Sequence, residues 1–363
     1  MTIPLFDTEK PLAPLRETIL ERIAAVVEAG RYVLGPEVEA FERELAGYFG
    51  VRHVVGVANG TDAITIAIRA LGVRSGDEVV LPSFTFYATA EAVVTAGARP
   101  VFCDVDPETR NVTPETVKAA LTPRTTAIVA VDLFGCPAPV PELRALGLPV
   151  LEDAAQAAGA TLAGVKAGAL GDAATISFYP SKNLGCFGDG GAIATDDADV
   201  AELARALRFH GSRDKQSFQY VGYNSRLDEL QAAILRVLLP ELDRWSEGRR
   251  AAARAYAEAG LAEHVGLPAV PVGAEPAWHL FVVTHERADE LLVALGEGGV
   301  QARGYYRTPV HRQPAMAPYA SGTADLRATD ELAATNVALP MSPILGAEEA
   351  RQVVAVIASA LAR

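Results

Sequence analysis

Lys182 is the first residue in this chain whose setting suggests chemistry. It lies in residues 177–195, SFYPSKNLGCFGDGGAIAT, where an apolar alternation breaks at Pro180 and a glycine-rich run follows. Between a buried strand and a loop with few side chains, the amine is either a solvated loop charge or a nucleophile for a flat carbonyl ligand, because glycines allow close approach. Ser177 and Ser181 add hydroxyls on the same stretch. A second group is PVLEDAAQAAG, in which Glu152 and Asp153 end an apolar run. A carboxylate there needs a partner. Gln156 follows Asp153 at the spacing of a capping box, so the pair either caps a helix or turns an anion toward a cationic heteroaromatic nitrogen. The third group is VGVANGTDAI: a strand, a turn at Asn59 and Gly60, and Thr61 as the predicted cap of the next helix. Thr61 either only caps that helix or belongs to an anion site made by its free N–H groups. A phosphate cradle, an acid for a ring nitrogen and an amine for an aldehyde are the three handles by which proteins hold pyridoxal 5'-phosphate (PLP).

These groups need a common edge. Alternating apolar runs predict strands at 53–58, 78–82, 99–105, 126–131 and 150–152, with helices at 62–71, 88–96, 114–121 and 140–145 between them. That alternation predicts an α/β fold with a mostly parallel sheet wrapped by helices, whose ligands bind beyond the carboxyl ends of the strands. Two further strands, 174–179 and 191–194, are close enough to pair antiparallel, and 196–209 reads as a helix. Two amphipathic helices, 12–29 and 37–48, precede the first strand. From Arg226 to Gly260 the pattern is helical, with an interruption predicted at Pro240. Beyond it, strands are predicted at 277–286 and 300–306 and helices at 288–299 and 347–362, a small α+β unit. The chain is divided here into a large cofactor-binding domain, 1–235, and a small C-terminal domain, 236–363.

The 363 residues are half hydrophobic and carry a formal net charge of −13. That balance argues against a nucleic-acid or membrane-surface binder. Cys103, Cys136 and Cys186 are far apart and form no CxxC, so neither a disulfide framework nor a metal site is expected. No leader pattern and no membrane-length apolar run is read, and a soluble cytoplasmic protein is expected. An unrelated nucleotide-binding α/β protein finds no GxGxxG after the first strand and no P-loop.

In order along the chain, NGTDAI, PSFTFYATA, GARPVFCDVDPETRNV, LEDAAQAAGA, SFYPSKNLGCFGDGGAIAT and GYNSRLDELQAAIL make the sequence resemble the DegT/DnrJ/EryC1/StrS family of sugar aminotransferases, over nearly its whole length. The resemblance implies a fold type I PLP-dependent transferase. It implies that Lys182 forms the internal aldimine, Asp153 pairs with the pyridinium nitrogen and Gln156 contacts the ring hydroxyl or its neighbourhood. Phe86 would stack on the ring, and Gly60, Thr61 and Ser177 would hold the phosphate. Asn224 would reach the phosphate of a partner subunit's cofactor, which implies a homodimer with shared sites. The implied reaction takes an amino group from L-glutamate, through pyridoxamine 5'-phosphate (PMP), to a nucleotide-linked keto-sugar. The RLDELQAAIL stretch favours a dTDP-linked 3-keto-6-deoxyhexose; a 4-keto acceptor is the alternative. Tyr306, His311, Arg213 and Lys215 are substrate candidates, each explained equally by surface or loop roles. A sugar dehydratase of this fold would carry histidine in place of Lys182. A non-catalytic regulatory or scaffold member of the fold remains the reading from another class.

Overall fold

The computed structural model describes residues 2–320 and 325–362. Its strands and helices alternate in the order the apolar runs predict. Helices α1 (Arg16–Ala29) and α2 (Pro36–Phe49) lead into β1 (His53–Val57), α3 (Gly60–Ala70), β2 (Glu78–Pro82), α4 (Ala88–Thr95), β3 (Arg99–Cys103), α5 (Pro114–Ala120), β4 (Thr125–Val131), α6 (Val140–Arg144) and β5 (Val150–Asp153). A two-residue hairpin, β6 (Thr161–Leu162) and β7 (Val165–Lys166), precedes β8 (Ala173–Ser177), β9 (Gly191–Thr195) and α7 (Ala198–Leu207). Helices α8 (Glu229–Leu238) and α9 (Leu242–Glu258) are separated by a 3-10 turn, Leu239–Glu241, that contains Pro240. Proline removes a donor and crowds the preceding turn, hence the break. The remainder comprises β10 (Ala274–Glu275), β11 (Phe281–Thr284), α10 (Ala288–Glu297), α11 (Ala317–Ala320), α12 (Arg327–Thr335), β12 (Asn336–Leu339) and α13 (Ala347–Leu361).

Seven strands form one sheet in the order β1-β9-β8-β5-β4-β2-β3. β2, β3, β4, β5 and β8 run parallel, and β9 is antiparallel to both β8 and β1. Fully buried Val79, Val80, Leu81, Ile128, Val129 and Leu151 show why these runs read as continuously apolar: helices cover both faces of such a sheet. One core contains Val55, Val57, Ile66, Leu81 and Ile128. A second, with Phe41, Leu45, Val54, Ile176 and Phe178, lies under α2 and α8. A third gathers Tyr256, Phe281, Leu291, Leu339 and Val353 around β11 and β12.

Four local expectations are corrected. The helix that one of the two readings placed after Asp153 is absent: β5 runs through Asp153, and residues 155–159 form turns closed by Ala157 N–H to Ala154 O and Ala160 N–H to Ala157 O. Thr61 is not a cap; Asn59 is, its Oδ1 accepting from Asp62 N–H at 2.8 Å, so α3 begins at Gly60. The strand expected at 277–286 is shortened to β11, because Trp278 takes a left-handed φ of 43° and residues 277–280 form a strap instead. No strand forms at 300–306, where only Val300 and Arg303 make isolated bridges. The partner of β11 is β12, unforeseen in the sequence. Tyr305 N–H is drawn to the Asn336 side chain at 2.6 Å rather than into a ladder. Among the described residues, no helix is long and apolar enough to cross a membrane, and no group of three His, Cys, Asp or Glu is placed to hold a metal.

Candidate active site

The carboxyl ends of β1, β5 and β8 border a pocket of about 430 Å³ lined by Gly60, Thr61, Phe86, Asp153, Gln156, Ser177, Lys182 and Tyr306, among others. The fold thus gathers seven of the eight residues expected at a cofactor and one of the four substrate candidates. Its construction follows from strand register. Ser177, last in β8, pairs with Gly191 of β9, which pairs in turn with Val57 of β1. A Cβ on Gly191 would lie 2.5 Å from the Asn59 carbonyl carbon, and one on Gly60 would lie 2.8 Å from Ser177 Cβ. Both glycines therefore let the first turn of α3 approach β8. The open N–H groups of α3 and the Ser177 hydroxyl share one end of the pocket.

Strand alternation separates the two carboxylates of β5. Glu152 is fully buried and accepts from Gly168 N–H at 2.7 Å, Leu170 N–H at 2.8 Å and Gly171 N–H at 3.2 Å, so it anchors the turn before β8. Asp153, 4% exposed, faces the pocket instead. Its Oδ2 accepts from Thr89 Oγ1 at 3.0 Å and its Oδ1 from Ala155 N–H at 3.2 Å. Burial raises its pKa against the lowering pull of Thr89, Ala155 and Lys182. No cation among the described residues reaches ion-pair distance of Asp153. It is a buried acid that feels the Lys182 charge but has no cation in direct contact.

Lys182 N–H closes the turn onto Tyr179 O at 2.8 Å, and the neighbouring Asn183 Nδ2 donates to Ala277 O at 2.8 Å. The lysine turn is thereby tied to the strap at 277–280. That strap is held elsewhere by Arg249 donating to Trp278 O, and by Ala277 N–H and Leu280 N–H donating to Gly135 O and Phe134 O. Desolvation lowers the Lys182 pKa to about 8, opposed by the charge of Asp153. The amine is thus more often neutral near physiological pH than a solvated lysine, as a nucleophile or general base requires.

Gln156 accepts from Phe134 N–H at 2.7 Å and donates to the Tyr306 hydroxyl at 3.2 Å. Phe86, 53% exposed, stands at the pocket with its ring 5.9 Å from that of Tyr306. The remaining expected residues lie elsewhere. Asn224 is exposed, bridges to Phe209 and does not line this pocket. His311 Nδ1 sits 2.6 Å from Ser83 Oγ, outside the pocket lining. Arg213 faces Glu202 at 3.8 Å, and Lys215 lies 5.0 Å from the centre of the Phe209 ring.

Sequence reading missed Thr89, Phe6 and His279. Thr89 lies in the first turn of α4, its hydroxyl 3.2 Å from that of Thr85 in the bend that precedes the helix. No local signal marks Phe6, which stacks on His279 at 5.7 Å from a segment far off in sequence.

The family model described as the DegT/DnrJ/EryC1/StrS aminotransferase family matches residues 14–358. The dTDP-3-amino-3,4,6-trideoxy-alpha-D-glucose transaminase of Streptomyces venezuelae is 44% identical over 97% of this chain and 94% of its own length. The UDP-N-acetyl-3-dehydro-alpha-D-glucosamine 3-aminotransferase of Acidithiobacillus ferrooxidans is 43% identical over 98% of this chain and 97% of its own. Among solved structures, S. venezuelae DesV in complex with a ketimine intermediate has a TM-score of 0.96 at 43% identity, covering 100% of this chain and 99% of that one.

Proposed function

The chain belongs to the DegT/DnrJ/EryC1/StrS aminotransferase family, and on that footing we propose that it moves an amino group from L-glutamate to C3 of a dTDP-linked keto-6-deoxyhexose. It is a PLP-dependent sugar aminotransferase. The C3 position is supported by the two transaminase relatives, whose names both place the amine there.

One observation carries the reading: a single pocket joins an amine with a lowered pKa, a buried carboxylate without an ion-pair partner, and a helix start beside a serine. These fit PLP, and they do so through features of this chain. The glycine contacts at 60 and 191 leave room at the helix start that any side chain would fill. When bound, PLP supplies an aldehyde for the amine and an electron-withdrawing ring. Lys182 would hold that aldehyde through its amine, and when free the same amine would move a proton at the reacting carbon. Asp153 holds a proton on the ring nitrogen, Thr89 and Ala155 fixing its carboxylate. Gly60, Thr61 and Ser177 receive the phosphate, and Phe86 covers the ring face. Asn224 completes the phosphate site of a second subunit. Support for that comes from its position outside its own pocket, beside exposed Phe218, Tyr220 and Val221. The site is then whole only in a homodimer.

The test uses the protein loaded with PLP and L-glutamate but no sugar. Loss of the visible band with appearance of the pyridoxamine spectrum, absent in Lys182→Ala, is expected. Turnover is then expected with a 3-keto and not a 4-keto nucleotide sugar. A visible band that ignores glutamate would overturn the donor, and preference for the 4-keto sugar would overturn the position.

A further inference from the structure

The direction of the hydrogen bonds around Gln156 is set by one backbone group. Phe134 N–H can only donate, so the Gln156 atom that meets it at 2.7 Å is the oxygen. The amide nitrogen is therefore the atom 3.2 Å from the Tyr306 hydroxyl. That nitrogen can only donate, so the Tyr306 oxygen accepts and its own hydrogen must turn to something else. Among the described residues, the bond from Gln156 is the only one that the Tyr306 hydroxyl makes. Tyr306 lines the pocket with its ring between Phe86, at 5.9 Å, and Phe134, at 6.3 Å. The chain Phe134–Gln156–Tyr306 thus ends in a hydroxyl of a pocket-lining residue whose hydrogen has no acceptor among the described residues.

We propose that the Tyr306 hydroxyl donates to the anionic oxygen beside the reacting carbon, and that Gln156 is the positioning residue that keeps the phenol hydrogen turned into the pocket. Such an oxygen is offered by the carboxylate of the amino donor and by the ring oxygen of the cofactor. Burial raises the phenol pKa above its ordinary value, so the group acts as a fixed donor and not as an acid. Gln156 Nε2 retains a second hydrogen for the ring. The inference rests on the PLP reading of the pocket.

Two variants test it. Tyr306→Phe removes the donor. Gln156→Glu leaves Tyr306 in place and reverses it: a carboxylate accepts from both Phe134 N–H and Tyr306 O–H, which draws the phenol hydrogen away from the ligand. Two readouts of the PLP-loaded protein are taken, neither of them turnover. One is the pH midpoint of the visible band without donor; the other is the dissociation constant of glutarate, a dicarboxylate with no amine, followed through that band. A glutarate constant about 10- to 100-fold weaker in Tyr306→Phe, with an unmoved midpoint, identifies the carboxylate as acceptor. A midpoint raised by about one to two pH units identifies the ring oxygen. In either case Tyr306→Phe made in the Gln156→Glu background is expected to change nothing further. Unchanged readouts in Tyr306→Phe, or an equal loss in both backgrounds, would overturn the proposal. Failure of the PLP reading is distinguishable, since the unmodified protein would then show no visible band at all.

Discussion

Burial places a penalty on the charged form of the Lys182 amine. Below a pH of about 8 the folded and unfolded chains both carry the proton and the burial penalty is full. Between there and the ordinary lysine range only the unfolded chain stays protonated, so stability climbs with pH; above that range the penalty is gone. Lys182→Met in the cofactor-free protein is therefore expected to stabilise by about 1–3 kcal/mol near neutral pH, less whatever Asp153 loses with its neighbouring cation. The gain should fade as pH rises through the interval. Denaturant unfolding at neutral and alkaline pH measures it, and a gain independent of pH would trace the effect to packing instead of charge. At this scale the lysine and Asp153 were legible because their neighbours are so apolar or so small that a charge stands out. Gln156 was legible as a polar group but not as a relay. Its anchor, Phe134 N–H, lies 22 residues upstream, and its recipient Tyr306 lies 150 residues downstream. Thr89 escaped for the same reason, meeting Asp153 across 64 residues.

The elements of the main sheet were readable from apolar runs alone, since strands covered on both faces have no polar side to confuse the period. The C-terminal third was not. Residues 277–280 have the composition of a strand, yet the left-handed Trp278 and four bonds from separate segments override it. β12 pairs with β11 in a two-stranded ladder whose four short residues carry little pattern of their own. Where the sheet was readable, its register becomes a test. Gly60→Ala places a methyl carbon 2.8 Å from Ser177 Cβ, and the ladder through Gly191 to Val57 leaves neither backbone free to move aside. Overpacking of this kind costs about 1–3 kcal/mol, so PLP affinity is expected to fall about 10-fold or more. Spectrophotometric titration of the cofactor reads this directly. Unchanged affinity would remove the α3 start from the phosphate site.

For the whole molecule, the proposed sharing of Asn224 between subunits makes a prediction no single chain can satisfy. Lys182→Ala and Asn224→Ala are each expected to be inactive or nearly so as homodimers. Refolded or exchanged together, they form mixed dimers with one intact site, built from the lysine of one subunit and the asparagine of the other. Activity is then expected to return to about a quarter of the unmixed wild-type value, the statistical share of such sites. No recovery after demonstrated exchange would place Asn224 outside the partner's site. A last consequence follows from the strap. Its carbonyls are gripped by Asn183, beside the reactive lysine, and by Arg249 of α9, while its N–H groups hold the turn whose Phe134 orients Gln156. The strap, α9 and the lysine turn are tied together through these residues. A displacement of α9 or of the strap would therefore reach the backbone next to the amine and the amide relay together, through the same four bonded contacts.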